Sequence, residues 1–144
     1  MDDRQRLEQM VNQINMYQSQ LELLQQQIET IRASVAELAS AEESLNEIEG
    51  KENMETFVPI GAGSFVIAEI KNTDQVIMGL GAGAAAKKSI GEARESISSQ
   101  KKELEQLMEK MNGDIQKLTD FIVEKSPEAE ALLRKVETEE AQKQ

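Results

Sequence analysis

The residue types that do chemistry are sparse in this chain, and their spacing offers few sites. There is no His and no Cys, so no neutral-pH imidazole base, thiolate nucleophile, zinc or iron–sulfur site, or disulfide is available. The most suggestive pattern is Gly79-Leu80-Gly81-Ala82-Gly83-Ala84. It matches the G-x-G-x-x-A form of a dinucleotide-binding loop, it follows a β-prone run, and a helical pattern begins soon after. That loop needs a second strand ending in an acidic residue, and only a heptad helix follows Lys88, so the glycines are expected to form a hairpin turn. Gly61-Ala62-Gly63 lacks the Lys-Ser/Thr of a phosphate-binding loop and reads the same way. Ser89 beside Lys87 and Lys88 imitates a Ser–Lys dyad, but a hydroxyl just ahead of an apolar-periodic run is expected to cap a helix. Asp2-Asp3, Glu42-Glu43 and the series Glu92, Glu95, Glu103 and Glu105 read as solvated helix charge rather than cation ligands. No catalytic residue, cofactor site or metal site is expected, and the chain is read as a non-enzyme.

The elements around these residues divide the 144-residue chain by charge and glycine content. Residues 1–50 carry net charge −7, residues 51–88 none, and residues 89–144 carry −4, within a total of −11. Five of the eight glycines, and Pro59, fall in the middle part. Only 3% of residues are aromatic and 30% are charged, a composition of long helices rather than of a compact core. The acidic balance opposes nucleic acid and anionic membrane as partners. Met1 to Arg6 is polar, so no signal peptide is expected, and the apolar runs 57–68 and 76–86 are too short and too interrupted to cross a bilayer. The expected compartment is the cytoplasm.

Residues 1–50 form a heptad pattern. Leu7, Ile14, Leu21, Ile28 and Val35 occupy position a, and Met10, Tyr17, Leu24, Ile31 and Leu38 position d, followed by Leu45. Five unbroken heptads predict a coiled-coil helix with a narrow apolar seam, about 70 Å long at 1.5 Å per residue. Glu42 and Glu49 stand where apolar a residues are expected. Residues 89–125 repeat the pattern, with Ile90, Ile97, Leu104, Met111 and Leu118 at a, and Ala93, Leu107 and Phe121 at d, interrupted by Gln100 and Asp114. Ser126-Pro127 predicts an end or bend, with a short helix restarting through Leu132, Leu133 and Val136 and a frayed tail over 137–144.

Residues 51–88 read as two tandem β-hairpins, each turning on Gly-Ala-Gly, twenty residues apart. Pro59 confines its strand to an edge or bulge. Two long helices joined through this β region must fold back as an antiparallel pair. The strand residues Phe57, Val58, Ile60, Phe65, Val66, Ile67, Val76, Ile77 and Met78 are apolar on both faces, with nothing in the chain left to cover them. Assembly through the hairpins is therefore expected, with the coiled coils projecting. The fold class is α+β: a long antiparallel helical hairpin with two β-hairpins at the bend.

On these residues the chain resembles the prefoldin chaperones. Phe57-Val58-Pro59-Ile60-Gly61-Ala62-Gly63-Ser64-Phe65-Val66 is similar to the first hairpin of the alpha class, and Ile70 to Gly81, with its Asn72-Thr73-Asp74 turn, to the second. Beta-class subunits carry one hairpin, so two hairpins point to the alpha class. Ala84-Ala85-Ala86 departs from the pattern, which has bulkier residues there. The resemblance implies a hexamer of two alpha and four beta-class subunits around a β-barrel hub. It also implies ATP-independent capture of unfolded or nascent proteins, delivery to a group II chaperonin, and an archaeal form.

Client capture is expected at the distal tips. In the second helix, position e passes from Arg94 and Lys101 to Met108, Ile115 and Ile122, so the seam widens toward three apolar positions per heptad. Antiparallel pairing places Ile122 near Met16 and Ile115 near Leu23. The candidate client-binding residues are Leu7, Met10, Val11, Ile14, Met16, Ile115, Phe121, Ile122, Val123, Leu132 and Leu133. Two simpler readings stand beside this one: a broader self-satisfied seam closed by the residues after Pro127, and a structural coiled-coil tether with no client.

Overall fold

A computed structural model describes residues 2–143, so Met1 and Gln144, the last residue of the expected tail, lie outside the described residues. The order of elements is helix α1 (Asp3–Ile48), strands β1 (Met54–Gly61), β2 (Ser64–Ile70), β3 (Gln75–Gly81) and β4 (Ala84–Ser89), then helix α2 (Ile90–Gln142). Two compact units result. One contains the chain through Arg32 together with Gln106 onward, and the other spans Ala33–Glu105.

Local chemistry sets the helix ends. The Asp2 carboxylate accepts a bond from the Gln5 amide at 2.8 Å, and the Gln5 side-chain oxygen accepts one from the Asp2 amide, a reciprocal box that satisfies orphan donors of the first turn. Gly50, with φ of 72°, follows the end of α1, where a left-handed residue closes the last turn with least strain. Ser89 caps α2 through its hydroxyl, which accepts from the Glu92 amide at 3.1 Å.

In the unit spanning 33–105, β1 pairs antiparallel with β2 and β3 with β4, as two separate two-stranded sheets. Each hairpin turns on two residues with positive φ, Ala62-Gly63 and Ala82-Gly83, the type I′ geometry that matches strand twist. The register slips by one just before each turn, at Ile60 and at Leu80, so the twenty-residue repeat extends to the bulge. The Gly79–Ala84 segment is therefore a strand, a turn and a strand, with no helix at its end. Between the hairpins the buried Thr73 hydroxyl donates to the Lys51 carbonyl at 2.6 Å, and the Asn72 side chain accepts from the Asp74 amide. These bonds tie the connection to the exit of α1.

The core of this unit is small. Leu45, Ala93 and Ile97 are buried, with Leu38, Ala41, Ile48, Val76 and Met78 packed on them. Val76 and Met78 point to one face because they are two apart, and that face is the one the helices cover. The two strand residues were expected on an oligomer surface; the structure packs them inward. Glu49 pairs with Arg94, and Glu42 with Lys101 at 3.1 Å. The acidic residues that interrupt the apolar a row thus face basic residues of α2. The Glu49 carboxylate also raises the Arg94 pKa, chiefly by hydrogen bonding.

In the other unit, α1 and α2 run antiparallel. Tyr17 meets Phe121 edge to face at 4.6 Å, and near the chain ends Asp3 pairs with Lys135 at 2.8 Å and Arg4 with Glu140 at 3.7 Å. Along α1 every expected seam residue from Leu7 to Leu38 is buried or half-buried. Two expectations for α2 are corrected. Row e joins positions a and d in facing α1: Met108, Ile115 and Ile122 are half-buried, Ala93 and Phe121 of row d are buried and half-buried, and of the apolar d residues Leu107 alone is exposed, at 44%. Secondly, α2 does not stop at 125. It continues through Ser126-Pro127 to Gln142, replacing the short helix and frayed tail, because Ala129, Leu132 and Val136 extend the same inner row and are buried or half-buried.

Candidate interaction surfaces

The hairpins carry the most exposed apolar surface. The register puts Phe57, Pro59, Phe65 and Ile67 on one face of the first hairpin and Val58 and Val66 on the other. Phe57, Val58, Ile60, Phe65, Val66 and Ile67 are all exposed, and the two Phe rings lie 6.5 Å apart across the strands. In the second hairpin Ile77 is 76% exposed and Leu80 is exposed. Leu80 lies within the glycine-rich motif, and the twenty-residue repeat aligns it with Ile60 as that residue's counterpart. Both faces of the first hairpin's outer half are bare, whereas the second has one face on the helices. Exposed β edges with apolar faces are sites of pairing with another chain.

The unit containing both chain ends differs. Of the eleven residues expected to bind clients, Ile14 is buried, and Leu7, Met10, Ile115, Phe121, Ile122 and Leu132 are half-buried. Val11, Met16, Val123 and Leu133 are exposed, Val123 most, at 67%. Ile115 and Ile122 therefore complete the seam and add no surplus row. A groove of about 500 Å³ lies beside the seam, lined by Leu24, Ile31, Leu107 and Met111 with polar Gln27, Thr30, Lys110 and Asp114. Leu23 and Leu107 are exposed off the seam, Leu107 at the place where Gln100 and Asp114 interrupt the d row.

Three of the acidic residues weighed as cation ligands have other partners. Asp2 caps α1, Glu42 binds Lys101, and Asp3 takes a hydrogen bond from Lys135 that holds its carboxyl below the usual value. The same bond raises the Lys135 pKa. Among the described residues, no group of His, Cys, Asp or Glu is arranged to hold a metal ion, and no helix is long and apolar enough to cross a membrane.

This arrangement, two long helices flanking two bulged hairpins, has counterparts among known proteins. The family model described as prefoldin subunit matches residues 17–135. The chain belongs to the prefoldin family. A prefoldin subunit alpha of Methanobrevibacter smithii is 47% identical over 132 residues, covering 92% of this chain and 90% of the relative. The prefoldin subunit alpha of Methanosphaera stadtmanae is 39% identical over 134 residues, covering 93% and 96%. A chain in the cryo-electron-microscopy structure of filamentous prefoldin from Methanocaldococcus jannaschii superposes with a TM-score of 0.68 at 24% identity, covering 81% of this chain and 98% of that one; it supports the fold. Prefoldin subunits are chaperone components that assemble with one another.

Proposed function

We propose that this chain is the alpha-type subunit of a cytoplasmic, ATP-independent holdase that captures non-native proteins and passes them to a group II chaperonin. Two alpha and four beta-class subunits would join their hairpins in a β-barrel hub. The observation that carries the proposal is the bare outer half of the first hairpin. Its large exposed side chains are a liability in a lone chain and the makings of an interface core in an assembly. The relatives named prefoldin subunit alpha supply the context.

The tether reading keeps one specific observation in its favour, the half-burial of Leu7, Met10, Ile115 and Ile122, which leaves few apolar side chains free on the arm. Suppression of aggregation separates the two. The complex formed with a beta-class subunit is expected to protect a chemically denatured test protein without nucleotide. Assembly without any protection would favour the tether and sink the holdase.

A further inference from the structure

The segment Ser126-Pro127-Glu128 carries two incompatible instructions. As sequence it is a helix start: a hydroxyl to cap, a ring at the first helical position and a carboxylate in the first turn. In the structure it lies inside α2. Pro127 has no N–H, so the Val123 carbonyl loses its bond from four residues on. The Ser126 hydroxyl donates to the Ile122 carbonyl at 2.7 Å, the back-bond that serines make in helix interiors and that bends them. Little holds the following segment in line. Its inner row is one Ala, one Leu and one Val at 129, 132 and 136. The Arg4–Glu140 pair is exposed, of the kind that contributes little, and the Asp3–Lys135 pair is half-buried on its Asp3 side only.

We propose that Pro127 is a hinge and that residues 128–142 form a flap, closed in this structure, which detaches from the start of α1. Opening uncovers Leu7 and Met10 together with Ala129, Leu132 and Val136. Ser126 is the switch group. Its hydroxyl donates to Ile122 in the closed state and accepts from the backbone N–H of Ala129, as an N-cap, in the open one. One hydroxyl bond replaces another, and the released helix keeps its own start signal. The opening stands on the geometry alone; its use in binding clients rests on the holdase reading above.

Amide hydrogen exchange on the assembled full-length protein tests the hinge. Amides 128–142 are expected to exchange as a block, faster than 106–122, with a step at Pro127 rather than a gradient from the chain end. Pro127→Ala restores the missing bond and is expected to slow that block about a hundred-fold. Ser126→Asp caps but cannot donate, and is expected to speed it several-fold. Unchanged exchange in Pro127→Ala, or a smooth gradient that ignores residue 127, would overturn the hinge. Protection of a denatured test protein by the Pro127→Ala complex separates the two ideas. Reduced protection ties opening to client capture, whereas slowed exchange with full protection leaves the hinge standing and refutes its role in capture.

Discussion

The outer halves of the hairpins and the helical pair at the chain ends contain similar apolar residues and dispose of them differently. In the first hairpin, Phe57, Ile60, Phe65 and Ile67 stand in solvent. A two-stranded ribbon has two faces and no second layer of its own, so it cannot cover itself. In the helical pair, Ile14, Met111, Ala129 and Val136 are buried, because each helix offers the other a seam at spacings of three and four. Burial of an apolar residue here is decided by whether its element has a partner within the chain. The outer half of the first hairpin and the outer face of the second lack one, and the proposed assembly would supply it.

The largest expected effect follows from that contrast. Val66→Asp with Ile67→Asp changes residues exposed in the single chain, so helical circular dichroism is expected to survive. In an assembly the same positions become buried unpaired charges costing several kcal/mol, and native mass spectrometry is expected to show loss of the oligomer. Wild-type mass with a beta-class partner would break the comparison.

A smaller effect tests whether row e of α2 belongs to the seam. Ile115→Ala, inside the seam, is expected to lower stability to urea by about 2–3 kcal/mol. Leu107→Ala, on its margin, is expected to cost under about 1 kcal/mol. Equal costs would show that Ile115 is no more part of the seam than Leu107.

Much of the layout was legible in the residues, for identifiable reasons. The α1 seam is plain because its a and d positions from Leu7 to Leu38 are apolar without a miss, and Ser89 announces the start of α2. The α2 seam is broader than positions a and d, and nothing local shows that the charged e residues Arg94 and Lys101 belong to it. Their partners, Glu49 and Glu42, are 45 and 59 residues away, and no local pattern reveals such pairing. Ser126-Pro127 points to an end or a bend because propensity disfavours a helix there by about 3 kcal/mol; the helix continues because the row at 129, 132 and 136 still packs on α1. Among the client candidates, periodicity placed the apolar residues on the helices but did not tell a residue facing the partner from one facing water.

Turn strain offers a finer test on the hairpin side. Ala62 holds a φ of 51°, a conformation costing a non-glycine residue about 1–2 kcal/mol. A Cβ is dispensable there, so Ala62→Gly is expected to raise thermal stability slightly without altering the exposed faces. A fall would mean that Ala62 has a packing role. The smallest expected effect lies at the chain ends. Asp3, its pKa lowered by Lys135, favours the closed pair above its unfolded pKa and loses that contribution as pH falls through its folded value. Lys135, raised by the same bond, contributes below its unfolded pKa and loses it as pH rises through its folded value. Protection of the last α2 amides, relative to their intrinsic exchange rate at each pH, is expected to fall slightly at acid pH, and Asp3→Asn is expected to abolish that fall.

The chain has no cysteine, which permits one direct comparison of the two regions. Ile67→Cys and Val123→Cys each place a single thiol on a side chain that is 67% exposed in the lone chain. Maleimide labelling is measured before and after mixing with a beta-class subunit. Labelling at 67 is expected to be rapid in the free chain and blocked in the assembly, while labelling at 123 stays rapid in both. Persistent labelling at 67 in a complex of confirmed mass would contradict assembly through the hairpin faces.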